Sequence, residues 1–298
     1  MNWTLSKVKG TLLLVLVLIL SGSTEATDKD PYQLYTRYGV KISYDDLFIQ
    51  ALNHDLTFFG ELHDNAIAHW LQLELIMDLQ DDSTRSTLIG MEMFERDQQV
   101  LIDEYFNGYI SRSSFENEAR LWQNYSTDYR PVLEFARENG MRLVATNIPR
   151  RYASAVYMQG MTVLDSLSAE AKEWIAHLPI EVDEDLPGYR DILEAAQGHG
   201  GENLIHSQAV KDATMAYSIL SAMTEGSDPK RLIHLNGSYH SNNDEGIIWY
   251  IRQADRGREL DILTINTISA DDVNSVETDL LQKADITLVV NSRMTSTY

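Results

Sequence analysis

Short apolar, β-branched runs alternate along the chain with longer stretches whose apolar residues recur every three or four positions. The short runs are Asp55–Phe59, Thr87–Met93, Arg142–Thr146, Arg231–Leu235, Asp261–Asn266 and Ile286–Val290, and they read as six buried strands. Helical spacing covers Asn65–Gln80, Arg96–Asn107, Pro131–Asn139 and Glu245–Ala254. Pro131 suits the first turn of its helix, where its missing N–H costs nothing, and Gly140 stops it. Strands and helices in alternation predict an α/β fold: a mostly parallel sheet flanked by helices.

One interval breaks the alternation. Between Pro149 and Lys230 the spacing is helical, over Arg150–Gln159, Ala169–His177, Tyr189–Gln197 and Asn203–Thr224. Pro179, Pro187 and the run Gly198-His199-Gly200-Gly201 interrupt it. The pattern predicts an inserted helical subdomain at 149–230 that splits the α/β domain into 27–148 and 231–298. Residues 27–50, polar and aromatic with Pro31, read as a lead-in segment.

The first residues carry a different signal. Lys7 and Lys9 precede a ten-residue apolar run, Thr11–Leu20, too short to span a bilayer and followed by small residues. Residues 1–26 are therefore expected to be a signal peptide, and the protein to be exported, with membrane association through this segment as a further expectation. Leu20-Ser21-Gly22-Ser23 has the form of a bacterial lipobox with Ser in place of the lipidated Cys, and the chain contains no Cys at all. With no disulfide available, stability must come from the core or from a ligand. The formal net charge of −21 argues against a nucleic acid partner, which needs clustered Lys and Arg.

Candidate chemistry gathers where strands end. Two G-x-x-H tetrapeptides, Gly60-Glu61-Leu62-His63 and Gly237-Ser238-Tyr239-His240, each follow a predicted strand, with glycine expected to let the backbone turn. The second strand ends in Glu92 and Glu95, the third in Asn147, Arg150 and Arg151. In a parallel sheet these ends share one edge, where open α/β folds bind ligands. Glu92 stands among Met91, Met93 and Phe94, an apolar setting that demands a partner for a carboxylate. One solution is a divalent metal such as zinc or manganese held by His63, Glu92 and His240, with an open position for water. Glu61 or Glu92 would then be ligand or general base, and Arg150 or Arg151 a clamp for an anionic group. The alternative is structural: Asp64 caps the next helix and Glu92 pairs with an arginine. His199 in its glycine-rich loop is positioned to meet a planar ligand or is an ordinary surface histidine. Asp212 and Gln208, on one face of the 203–224 helix, either reach the crevice or serve as solvated surface and helix pairing.

At these residues the sequence resembles the ChaN-like family of the haem-binding uptake and Tiki superfamily. The resemblance is carried in order by Phe59–Asn65, Gly90–Arg96, Tyr129–Leu133, Asn147–Tyr152, Gln208–Ala216 and Leu235–Ser241. It implies a parallel α/β domain with a small helical domain, in an exported, periplasmic or cell-envelope protein of a Gram-negative bacterium, linked to iron uptake. It also implies haem as the cofactor, a tyrosine as iron ligand and a homodimer enclosing two cofacial haems. Tyr152 is the nearest candidate ligand, because it lies in a matching segment. Tiki relatives instead use the two histidines in a metal-dependent peptidase, so the resemblance implies a hydrolase as the alternative. Ser23 departs from the lipid anchoring usual in the family.

Overall fold

The computed structural model describes residues 29–254, 257 and 259–298, so the expected signal peptide lies outside the described residues. Eight strands form one sheet: β1 (Tyr32–Thr36), β2 (Lys41–Ile42), β3 (Leu56–Glu61), β4 (Ser86–Glu95), β5 (Arg142–Asn147), β6 (Lys230–Gly237), β7 (Ile262–Ala270) and β8 (Ile286–Asn291). Their order is β2-β1-β8-β7-β3-β6-β4-β5. The six strands from β8 to β5 run parallel; β1 lies antiparallel on β8, and β2 antiparallel on β1.

The strands at the centre are buried along almost their whole length, as strands covered on both faces must be. Successive side chains serve opposite faces. Phe59, Ile233 and Leu235 join a core with α2 (Ala66–Asp81), α3 (Gln99–Phe106) and α5 (Arg130–Glu138). Phe58 and Leu232 point the other way, into a core with α9 (Gly201–Thr224) and α10 (Ile247–Gln253). Burying each such phenylalanine stabilises the fold by about 1.5–3 kcal/mol.

The lead-in segment is more ordered than its composition predicts. It supplies β1, β2 and α1 (Tyr44–Asn53), whose N-terminus is closed by a reciprocal pair: Ser43 accepts from Asp46 N–H, and the Asp46 carboxylate accepts from Ser43 N–H. Its strands are short and only Leu34 and Tyr35 of β1 are fully buried, so no long apolar run marks them.

Between β5 and β6 the chain forms α6 (Arg150–Gln159), α7 (Ala169–Lys172), α8 (Pro187–Ala195) and α9. The helix expected over Ala169–His177 stops at Lys172. Because β6 inserts between β3 and β4, the carboxyl ends of β3, β6, β4 and β5 open side by side, and α9 packs against β5 and β6.

Candidate functional site

The two G-x-x-H turns sit next to each other, out of step by one residue: Glu61 pairs with Gly237, and Gly60 with Asn236. The glycines are needed for contact rather than for turning. Gly237 has φ −60°, open to any residue. A Cβ there would lie 2.8 Å from His63 Cε1 and 2.9 Å from its Nε2, so the imidazole rests on bare backbone. A Cβ on Gly60 would lie 2.9 Å from the Ile265 carbonyl oxygen. This corrects the expectation that both glycines serve the backbone turn.

Glu92 lies where the register of β4 against β5 shifts between Met91 and Glu95, a bulge that re-aims the strand at its end. Its buried carboxylate accepts from the Gly237 N–H at 2.8 Å and sits 3.3 Å from His240 Nε2. Arginine, the partner expected for it in the structural alternative, is replaced by histidine. The other nitrogen of that ring, Nδ1, donates to Asp212 at 2.5 Å, and Tyr189 Oη donates to the second Asp212 oxygen at 2.8 Å. Burial alone would lower the pKa of His240, but the charges of Glu92 and Asp212 outweigh it and raise it to about 10. Burial likewise works against ionised Glu92, and His240 and His63 overcome it, holding the carboxyl well below its usual range. The result is an imidazolium clamped between two carboxylates.

The second pair is built from β3 and its neighbours. His63 Nδ1 donates to Glu61 Oε1 at 3.0 Å, Tyr129 Oη donates to the same oxygen at 2.7 Å, and Gln72 Nε2 donates to Oε2 at 2.7 Å. Three donors fix this buried carboxylate, and with it the ring. The His63 carbonyl is held in turn by Asn124 Nδ2 at 2.7 Å and His69 Nε2 at 3.1 Å. Burial lowers the pKa of His63, yet the hydrogen bond to Glu61 and the charge of Glu92 carry it above the ordinary value. Nε2 of His63 has no hydrogen-bond partner among the described residues, and the ring packs edge-on against Trp122.

Both histidines and Glu92 open onto a cavity of about 490 Å³. Its walls are mixed: Met93, Trp122, Ile148 and Ile192 are apolar, while Arg150 and Lys211 bring positive charge. Tyr239 stands at its edge, 61% exposed. The structure thus brings His63, Glu92, His240 and Arg150 to one cavity and places Glu61 and Asp212 directly behind the two rings. It does not bring Tyr152 or His199 there. Tyr152 packs in the helical layer with the Arg151 guanidinium 4.6 Å from its ring centre. His199 is exposed and donates Nδ1 to the Ala196 carbonyl at 2.8 Å. Among the described residues no group of three His, Cys, Asp or Glu is arranged to hold a metal ion. Asp64 does not cap α2; the Asn65 side chain does, accepting from Ile67 and Ala68.

A family model described as haem-binding uptake, Tiki superfamily, ChaN matches residues 47–251, which include every residue of the two pairs. The chain belongs to this ChaN family. The fold resembles that of ChaN of Campylobacter jejuni, a structure described as showing cofacial haem binding, with a TM-score of 0.62 and 17% identity over 88% of this chain and 98% of that one. The chloroplast protein RETICULATA-RELATED 5 of Arabidopsis thaliana is 22% identical over 213 residues, 64% of this chain. The match spans only 28% of that protein's length.

Several residues of this ChaN-family site escape a reading of the sequence. Tyr129 opens one of the segments that carry the resemblance, but it lies in a short π-helical turn, Tyr125–Tyr129, and no periodicity aims its phenol at Glu61. Tyr189 belongs to α8, remote from any strand end. Gln72 offers a usable signal: on α2 it lies three residues after His69, on the buried face of the helix, where an amide needs a polar partner.

Proposed function

We propose that the crevice binds haem, as the family match suggests, and that Tyr239 is the ligand residue in this chain. The carrying observation is the phenol of Tyr239: it stands at the cavity edge and has no hydrogen-bond partner among the described residues. Phenol and imidazole are donor types that hold ferric haem, and the cavity offers both, in Tyr239 and His63. Trp122, Ile148 and Ile192 supply the apolar wall that a macrocycle needs. Haem, when bound, supplies the iron chemistry; the chain binds it and limits water. Titration with haemin tests this: a saturable Soret shift is expected, lost in Tyr239→Phe and unchanged in Tyr152→Phe. Absence of a saturable shift in the parent chain sinks the reading.

The wider role follows as part of the same proposal. The protein is exported by way of residues 1–26, whose basic and apolar regions support it, and takes part in iron uptake in the cell envelope. No helix among the described residues is long and apolar enough to cross a membrane. The cofacial binding named for the Campylobacter protein supports a homodimer on haem loading. Sedimentation with and without haemin, and the N-terminal sequence of the mature protein, test these two points.

A second reading is favoured by the His63–Glu61 pair. A buried carboxylate behind Nδ1 leaves Nε2 able to take a proton from water, while the positive charge of His240, whose two N–H groups are held by Asp212 and Glu92, offsets negative charge developing in the crevice. That arrangement suits hydrolysis of an ester or amide, with or without a metal such as zinc or manganese. p-Nitrophenyl ester turnover abolished by both His63→Ala and His240→Ala supports it; turnover equal to buffer removes it.

A further inference from the structure

The cavity does not end at Arg150. A second hollow of about 740 Å³ shares Glu95, Trp122 and Arg150 with it and adds Arg120, Arg151 and the C-terminal Tyr298. Arg150, the first residue of α6, therefore stands where the two spaces meet. The other cations of the annex are engaged: Arg120 donates to Glu95 at 2.9 Å and also pairs with Asp97, and Arg151 donates to Asp97 at 2.6 Å. Arg150 is exposed and has no carboxylate or hydrogen-bond partner among the described residues, in a chain of net charge −21. Lys211, which also lines the cavity, donates only to the Gln208 amide oxygen, at 3.2 Å. The one carboxylate shared by both spaces, Glu95, is already neutralised by Arg120.

From these observations we infer that the junction at Arg150 is a binding site for the carboxylate of a flat, apolar organic acid, whose body lies against Trp122. An unpaired guanidinium offers a planar fork that matches a carboxylate, and Trp122 supplies a flat apolar surface shared by both spaces. The adjoining Lys211 reinforces the sign of the field without that geometry. Haem is one acid of this class, but the inference concerns the class and holds whether or not iron or hydrolysis is involved. Its test therefore uses a probe with neither metal nor scissile bond.

The probe is 2-naphthoate, compared by calorimetry with the neutral 2-naphthalenemethanol on the full chain. The parent is expected to bind the carboxylate at least fivefold more tightly than the alcohol. Arg150→Gln should bring the two affinities within about twofold of each other, while Lys211→Gln keeps most of the preference. Arg150 is exposed and outside the core, so its variant should melt with the parent, which circular dichroism checks. Equal affinities in the parent, no measurable binding of naphthoate at millimolar concentration, or a preference that survives Arg150→Gln each overturn the inference. A haemin titration run on the same preparations reports separately on haem, so the two conclusions fail independently.

Discussion

Asp212 accepts a 2.5 Å hydrogen bond from His240 Nδ1, although the first is borne by α9 and the second by the turn that ends β6. The contact joins the helices that follow β5 to the edge of the sheet through one buried imidazolium. Removing one partner of a buried ion pair costs about 3–5 kcal/mol, because the other charge stays buried and uncompensated. Asp212→Ala is expected to lower stability by that order in urea titrations. Asp212→Asn, which keeps the shape, should cost less and should lower the His240 pKa, visible by imidazole NMR. Tyr189→Phe removes a neutral donor and should cost about 1–2 kcal/mol.

The pH dependence of stability has a definite sign. The folded value of His240, about 10, stands above its ordinary 6.5. A raised value of this kind contributes its stabilisation in full below 6.5 and loses it as the pH climbs through 10. Glu92 is lowered, so its contribution is present above the ordinary 4.5 and lost on acidification. Urea midpoints should therefore fall from pH 7 to pH 10 in the parent chain. In His240→Gln the alkaline fall should be much shallower, and equal slopes would contradict the assignment.

Gly237→Ala places a methyl group within 2.9 Å of His63. The ring must move, at a cost in stability of about 1–3 kcal/mol typical of overpacking. Ligand binding at the cavity should suffer more than the melting temperature, since His63 lines it.

Glu61→Gln should release His63. The carboxylate binds three donors, and a neutral amide can keep His63 and Tyr129 on its one oxygen only by turning its own N–H toward the Gln72 amide. A loss of about 1–3 kcal/mol is expected, with the His63 pKa falling because the hydrogen bond to Glu61 helps to raise it. NMR titration of the His63 ring checks this; an unchanged value would show that Glu92 alone sets it.

The fold was legible because its central strands are buried on both faces and stand out as unbroken apolar runs. The site was legible in part, since a parallel sheet aims the residues after β3, β4 and β6 at one edge. Asp212 stayed ambiguous for a physical reason: α9 is buried at Ile205, Ala209, Val210, Ala213, Met215 and Ile219, on most of its circumference, so spacing alone does not reveal which side meets the sheet. Tyr189 and Tyr129 act through contacts 23 and 68 residues distant in sequence, which local pattern does not encode. Tyr239 stands where the first G-x-x-H motif has Leu62, so the motif by itself carries no signal for a phenol at that place.

The clamp on His240 also bears on how the crevice can open. To draw α9 back from the sheet, the protein must either strand the Asp212 charge away from its cation or let the imidazole give up its proton first. Widening of the crevice is thereby tied to proton release, and alkaline solution, which takes that proton, should loosen the hold of the helix on the strand ends.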